Sequence, residues 1–314
     1  MKFQTLILPA IMTTALVLGA CSALAPEPVP AVAPAVAPDA TGRQPMAAAC
    51  AERPLRKVVV TAFPLRHPEQ IKSGDFMGWP SMTADDLTRQ INQRGSLLGA
   101  TVAQRFPFVS IESAPEVDRQ ALLRWASQER AQYVITGVFR DFGTARKALI
   151  LPVRQLVVEA YIYDGFSGEL LARREFARQL QFSWQLPKAV LPGSKDFRQS
   201  RLGGVYHELL AELGEWVEST VTCLPFAARV IQVDGRRLVM DVGSDSGLEA
   251  GMELVLTRTA ASGVTTATGE TLAGTPLRIA SAIVKSVQPR HSVAEIVPQM
   301  KTPAAQIGDV LYGR

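Results

Sequence analysis

The chain is poor in the residues from which most catalytic and metal sites are made. Three histidines and three cysteines occur among its 314 residues. His67, His207 and His291 lie far apart in the sequence, so a catalytic triad or a histidine-rich zinc site is hard to assemble, and no metal is expected. No G-x-S-x-G, phosphate-loop or C-x-x-C pattern is present; nothing announces a serine nucleophile, a nucleotide cradle or a dithiol centre, and no cofactor is expected. Charge of one sign is scarce as well. The net charge of +4 is small for the length and is not gathered into one long basic run, which gives a nucleic-acid partner little support. Apolar residues, by contrast, make up 47% of the chain, enough for a real hydrophobic core.

What is present begins with a signal. Met1-Lys2 is a short positive start, and an apolar run passes through Phe3-Gln4-Thr5-Leu6-Ile7-Leu8 and Ala15-Leu16-Val17-Leu18 to Gly19-Ala20-Cys21, the layout of a secretory signal peptide. Pro9 and Thr13-Thr14 interrupt the run, which disfavours a permanent membrane-spanning helix. Leu18-Gly19-Ala20-Cys21 resembles a lipobox, where bacterial lipoprotein signal peptidase cuts before a lipid-bearing cysteine. Removal of residues 1–20 and lipidation of Cys21 are therefore expected, and Ser22 in place of Asp resembles an outer-membrane address. An unused or buried cysteine at the end of the run is the bland alternative. Several acyl chains on one residue meet the need for more than one anchoring signal.

Residues 21–49 read as a solvated tether. Ala25 to Pro38 alternates Ala, Val and Pro with almost no charge, and polyproline II at about 3.1 Å per residue gives a reach of up to roughly 90 Å. Cys50 and Cys223 remain once Cys21 is assigned, an even pair in an oxidising compartment. A disulfide between them would staple the two ends of the first folded domain, with a loop-entropy gain of about 5 kcal/mol as an upper figure. Two separately buried thiols are the other arrangement these residues allow.

Residues 50–223 and 224–314 divide the folded part into an α+β arrangement: a mixed-sheet α/β domain, then a small all-β domain. Lys57 to Phe63 is apolar on both faces, as in a central, doubly covered strand. Ala84 to Leu98 has Leu87, Ile91 and Leu98 at helical spacing, Thr83 placed to cap, Asp85-Asp86 placed for the first turn and Gly99 for the stop. A strand at Phe108 to Ile111, a helix from Val117 to Ala126 and a strand from Gln132 to Phe139 complete a β-α-β-α-β series, which calls for a sheet carrying helices. A long hairpin follows, Arg154 to Tyr163 and Glu169 to Phe182, and Leu202 to Val217 is the strongest helical stripe in the chain. From Phe226 the apolar period becomes two, with a hairpin turning at Asp234-Gly235 and further strands near Met252 to Thr257, Leu277 to Val287, Ser292 to Ile296 and Val310 to Tyr312. A small barrel or sandwich accommodates them.

The candidate chemistry is thin. His207-Glu208 begins like a zinc-protease helix, but Ala211 stands where the second histidine is needed. Gly243, Gly247 and Gly251 lack the lysine-serine pair and the helix start of a phosphate cradle, so positive φ in a tight connection explains them better. Arg173, Arg174 and Arg178 suit a solvated strand face better than an anion site. Asp85 and Asp86, adjacent on a helix, should point to different faces and so make a poor catalytic pair.

Four segments nevertheless look familiar together: Val60-Thr61-Ala62-Phe63-Pro64; Gln132-Tyr133-Val134-Ile135-Thr136-Gly137-Val138-Phe139-Arg140-Asp141; Tyr161-Ile162-Tyr163-Asp164-Gly165-Phe166-Ser167-Gly168-Glu169-Leu170-Leu171; and Cys223-Leu224-Pro225-Phe226-Ala227-Ala228-Arg229-Val230. Over roughly residues 50 to 314 they resemble the middle and carboxy-terminal domains of flagellar assembly protein T. Gly243 to Met252 resembles the glycine turn of that family's last domain. The resemblance implies a middle domain similar to the amino-terminal domain of the Tol-Pal β-propeller protein. It also implies a non-enzymatic role in the ring around the outer-membrane part of the flagellar basal body, with ring proteins, or a ring of identical copies, as partners. The family's own amino-terminal domain is replaced here by the lipobox and tether.

A second family, the outer-membrane lipoprotein activators of penicillin-binding proteins, is similar in its lipidated cysteine, proline-rich linker and Tol-Pal-like domain. Such activators usually lack the added β domain, so residues 224–314 weigh against it. An envelope hydrolase or glycan-binding enzyme is a third reading, which a deep cleft with clustered carboxylates would favour.

Overall fold

The computed structural model describes residues 54–70, 78–112, 115–142, 144–147, 151–181, 193–259, 264–265, 271–272, 276–297 and 304–313. The expected signal peptide, lipobox and tether lie outside them, as does Cys50. From Pro54 onward the described chain belongs to one compact unit.

Its first part is a mixed sheet with helices on both faces. Strand β1 (Arg56–Thr61) leads to helix α1 (Gly78–Arg94), strand β2 (Leu97–Val102), the short strands β3 (Phe108–Ser110) and β4 (Glu116–Val117), and helix α2 (Arg119–Glu129). Strands β5 (Tyr133–Asp141), β6 (Thr144–Lys147), β7 (Leu151–Asp164) and β8 (Leu170–Gln181) follow, then helices α3 (Lys195–Gln199) and α4 (Arg201–Val221). β1 is parallel to β2 and to β5, whereas β5, β6 and β8 each pair antiparallel with β7. The apolar run in β1 is explained by two cores: Val58 and Val60 pack with α1 and α4, while Val59 packs with α2. On the first face Trp79, Phe197 and Tyr206 meet edge to face, with centroids 5.1–5.7 Å apart, a favoured geometry for aromatic rings.

Several sequence expectations shift here. Helix α1 starts at Gly78 and ends at Arg94, not at Ala84 and Leu98. Pro80 is tolerated because the first turn has no intrahelical acceptor for its missing N–H. Thr83 is therefore inside the helix, its buried hydroxyl donating back to the Trp79 carbonyl at 2.9 Å, and Asp85 and Asp86 lie beyond the first turn. The stop is Gly95, at φ +74°, where a side chain would be strained. Gly99 instead lies within β2, and that strand, not Phe108–Ser110, is the middle strand of the β-α-β series. β3 pairs with β4 in a separate small ladder. Val117 belongs to β4, and α2 is capped by Asp118, whose side chain accepts from the Ala121 N–H.

The second part is a closed barrel in the order β10-β15-β14-β11-β16-β9, which settles the choice between barrel and sandwich. Its strands are β9 (Ala227–Asp234), β10 (Arg237–Met240), β11 (Glu253–Thr259), β14 (Pro276–Val287), β15 (Ser292–Ile296) and β16 (Val310–Gly313). The short pair β12 (Val264–Thr265) and β13 (Thr271–Leu272) stands apart from it. Alternate residues fill the interior, among them Val230, Leu238, Met240, Leu254, Leu256, Ala282, Ala294 and Leu311, as the period of two predicts. Gly247 and Gly251 have positive φ, but Gly243 has φ −146°. Gly243 is required for another reason: a Cβ there would lie 2.0 Å from the Gln288 carbonyl oxygen.

Candidate functional site

The features that give this molecule a defined working shape lie where the sheet meets the barrel. The chain crosses between them at Leu224-Pro225, immediately after α4, and two side chains from the sheet hold that crossing. The Arg56 guanidinium donates through Nε to the Leu224 carbonyl at 2.9 Å, and the Tyr133 hydroxyl donates to the Pro225 carbonyl at 2.6 Å. Burial lowers the pKa of Arg56 and pushes the Tyr133 phenol far above its ordinary value, so Tyr133 remains a donor throughout the physiological range. Leu224 packs against the sheet's main core and Phe226 is buried in the barrel's core, so residues only two positions apart are claimed by different cores.

Further contacts lock the joint at its flanks. The β7–β8 turn is pinned by Asp164, whose carboxylate accepts from the Phe166 and Ser167 N–H groups at 2.8 and 2.6 Å. Gly165 N–H donates to the Gln132 carbonyl, an approach that a Cβ would obstruct at 2.7 Å. Arg229 reaches over from β9, its guanidinium 5.1 Å from the Phe166 ring centroid and 3.4 Å from the Gly165 carbonyl oxygen. Arg229 is itself placed by Asp241, which accepts from the Arg229 N–H at 2.9 Å and whose pKa is raised by burial. On the other flank Leu55 N–H donates to the Ser246 carbonyl and Arg130 donates to that of Arg290. Lys57 is half-buried nearby; burial, followed by the Arg130 and Arg290 charges, lowers its pKa against the pull of Glu129 and Asp241.

A second polar cluster lies on the α2 side of the sheet. Glu159 is 2% exposed and sits between Arg140 and Arg173, bonded to both. Burial alone would raise its pKa, but the Tyr161 hydroxyl nearby and the two guanidinium groups outweigh burial and hold it below the ordinary carboxylate range. The Tyr161 hydroxyl comes near without reaching hydrogen-bond geometry and is otherwise unsatisfied. Arg173 lies over the Tyr161 ring at 5.8 Å. A carboxylate held ionised between two guanidinium groups is a poor general acid or base at neutral pH; its effect here is to fix the spacing of β5, β7 and β8.

The other sequence candidates disperse. Arg174 and Arg178 do not form an anion site; both pair with Glu212 of α4. His67 meets Glu69 at 3.0 Å on the surface, His207 is half-buried on α4 and His291 is exposed in the barrel. Among the described residues no group of three or more metal-ligating side chains converges. Asp85 and Asp86, expected on different faces, line one cavity, because a groove between helices is wide enough to take residues 100° apart. Cys223 is disulfide-bonded, and Cys21 and Cys50 lie outside the described residues. The joint was missed by sequence reasoning, since nothing local marks an arginine or tyrosine that donates to a carbonyl some 90 or more residues away; the resemblance quoted around Cys223 to Val230 was the one pointer to it.

No curated protein matches the chain. Among solved structures it is similar to the hypothetical protein CT253 from Chlamydia trachomatis, at 15% identity and a TM-score of 0.40, covering 53% of this chain and 98% of that one. It is also similar to the PelC dodecamer from Paraburkholderia phytofirmans (13% identity, TM-score 0.33, 54% and 90% covered). A third likeness is to lipoprotein GNA1162 from Neisseria meningitidis (13% identity, TM-score 0.31, 52% and 98% covered). The family model described as flagellar assembly protein T, middle domain, matches residues 48–190, a span that holds β1 to β8 and both walls of the Glu159 cluster. Over those residues the chain is similar to the middle domain of flagellar assembly protein T.

Proposed function

We propose that this protein is a non-enzymatic lipoprotein of the outer membrane, facing the periplasm, that assembles on or stabilises the outer ring of the flagellar basal body and so supports motility. The family match over residues 48–190 carries the reading. In this proposal residues 1–20 are removed on export, Cys21 carries the lipid, residues 21–49 are the tether, 50–223 form the family's middle-like domain and 224–314 the β domain. Cys50 is the partner of Cys223, joining the end of the tether to the end of α4. The rigid joint suits this role: it presents sheet and barrel in one fixed arrangement, as a ring component must, and no nucleophile or proton donor is needed.

The test is an in-frame deletion. Loss of swimming with altered basal-body rings and normal wall synthesis is expected. A deletion strain that swims normally with unchanged rings, yet becomes sensitive to β-lactams, sinks the flagellar reading in favour of an activator of penicillin-binding proteins. Within the flagellar reading, Cys21→Ala behind a cleavable signal should give a folded, soluble form that assembles poorly, because anchoring raises the effective concentration at the membrane.

A further inference from the structure

A cavity of about 360 Å³ lies between α1 on one side and Gly193, α3 and α4 on the other. Its place in the sequence is regular: Gly78, Ser81, Met82, Asp85, Asp86 and Arg89 follow one another at helical spacing along one stripe of α1. The opposite wall is Gly193, Phe197, Arg198 and His207. Two glycines leave room where side chains would fill it. Beneath it is the rigid cluster of Trp79, Phe197 and Tyr206, so the floor is fixed and does not collapse into the space.

The lining selects a ligand class. Among the described lining residues the carboxylates of Asp85 and Asp86 are matched in number by the guanidinium groups of Arg89 and Arg198, which leaves no surplus charge there to hold an ion. Asp86 is already bonded to Arg89 at 2.6 Å, and Arg198 is held by the Gly193 carbonyl at 2.5 Å, so these groups are positioned before any ligand arrives. The Tyr206 hydroxyl donates to Thr83 at 3.2 Å and lies beside Asp86, so it helps to position that carboxylate. What remains is a close alternation of acceptors and donors: Asp85 and Asp86 carboxylate oxygens, the Ser81 hydroxyl, the His207 imidazole and the outer N–H groups of the two arginines. A neutral group that both donates and accepts, repeated at short intervals, satisfies such a wall, and a hydroxyl is that group. A peptide would need apolar pockets for its side chains, and Met82 is the chief apolar side chain of the lining besides the nearly buried Phe197.

We infer that this cavity is a binding site for a neutral sugar unit of a glycan, of one to two rings, held by the Asp86–Arg89 pair, Asp85, Ser81, Arg198 and His207. The volume is at the lower end for ligand sites, which run from roughly 300 to 1,000 Å³. The inference stands apart from the flagellar reading, and either can fail without the other.

The test is titration of the full chain in detergent micelles with the β-1,4-linked disaccharide of N-acetylglucosamine, followed by saturation-transfer NMR, with trialanine as the peptide probe. Saturable binding of the disaccharide and none of trialanine is expected. Asp85→Asn should weaken it about tenfold, the scale of one hydrogen bond to a charged group. Ser81→Phe, which fills the space, should abolish it. Asp85 is exposed, so its variant should melt at the wild-type temperature and keeps the test decisive if Ser81→Phe does not fold. No saturable binding of the disaccharide, binding unchanged in Asp85→Asn, or binding of trialanine in its place would each overturn the inference.

Discussion

The Tyr133 hydroxyl donates to the Pro225 carbonyl across 92 residues of sequence, and this 2.6 Å bond joins β5, the third of the sheet's parallel strands, to the segment that leads into the barrel. Tyr133 is 2% exposed, whereas Pro225 is exposed, so the bond is shielded from its donor's side. Tyr133→Phe keeps the ring and removes the bond, at a cost of about 0.5–1.5 kcal/mol. Differential scanning calorimetry should show a lower melting temperature, and limited proteolysis should open a new cut near Leu224-Pro225. An unchanged digestion pattern would mean that the joint is held without this bond.

Glu159 sets an acid limit on the fold. Its folded pKa lies below the ordinary 4.5, so the unfolded chain takes up the proton first as pH falls. The stability it contributes is complete above about 4.5 and is lost as pH falls further through the folded value. Glu159→Gln should cost roughly 2–3 kcal/mol at pH 7, the scale for hydrogen bonds to charged groups, and should flatten the fall in stability below pH 4.5. Urea unfolding at pH 7, 5 and 3.5 measures both; parallel wild-type and variant curves would assign the acid limit to another group.

Two glycines should respond in opposite directions to alanine. A Cβ at Gly137 would lie 2.3 Å from the Phe63 ring and 2.7 Å from the Glu159 carbonyl oxygen, both inside the core. Gly137→Ala should therefore destabilise by about 3 kcal/mol or fail to fold, as overpacking does. Gly204, exposed on α4 with nothing within 4 Å of an added Cβ, should gain about 0.5–1 kcal/mol from helix propensity. Thermal melts of the pair decide both signs at once.

Peptide mapping under non-reducing conditions of the protein purified from cells tests the proposed staple. One cross-linked peptide pair carrying Cys50 and Cys223 is expected, and reduction should lower the melting temperature. Recovery of Cys50 as an alkylated thiol from freshly lysed cells would refute the pairing.

Much of the architecture was legible because burial leaves a local trace. Val58-Val59-Val60 announces a strand covered on both faces, Leu209-Leu210-Leu213-Val217 announces α4, and the alternation from Ala228 to Met240 announces a barrel wall. The start of α1 and the strand after it were not legible. Trp79-Pro80 looks like a loop until its tertiary contacts with Phe63 and Tyr206 are known, and Leu97-Leu98 fits a helix's last turn as well as a strand's first residues. The polar features fared worse for a general reason: Glu159 with Arg140 and Arg173, or Arg229 with Gly165, are partners chosen by sheet register and by the joint, and single residues carry no sign of them.

The closing strand has a consequence for how the molecule is made. β16 lies between β11 and β9, so the barrel's first strand, paired on one side with β10, finds its second lateral neighbour only when residues about 80 positions later arrive. Until then β9 and β11 present open hydrogen-bonding edges, the kind that recruit other chains. The sheet domain, whose strands are complete by Gln181, suffers no such delay. A polypeptide emerging amino terminus first would thus expose a finished first half and an unsealed second one, and the interval before Val310–Gly313 emerges is when chaperones would matter most to this protein.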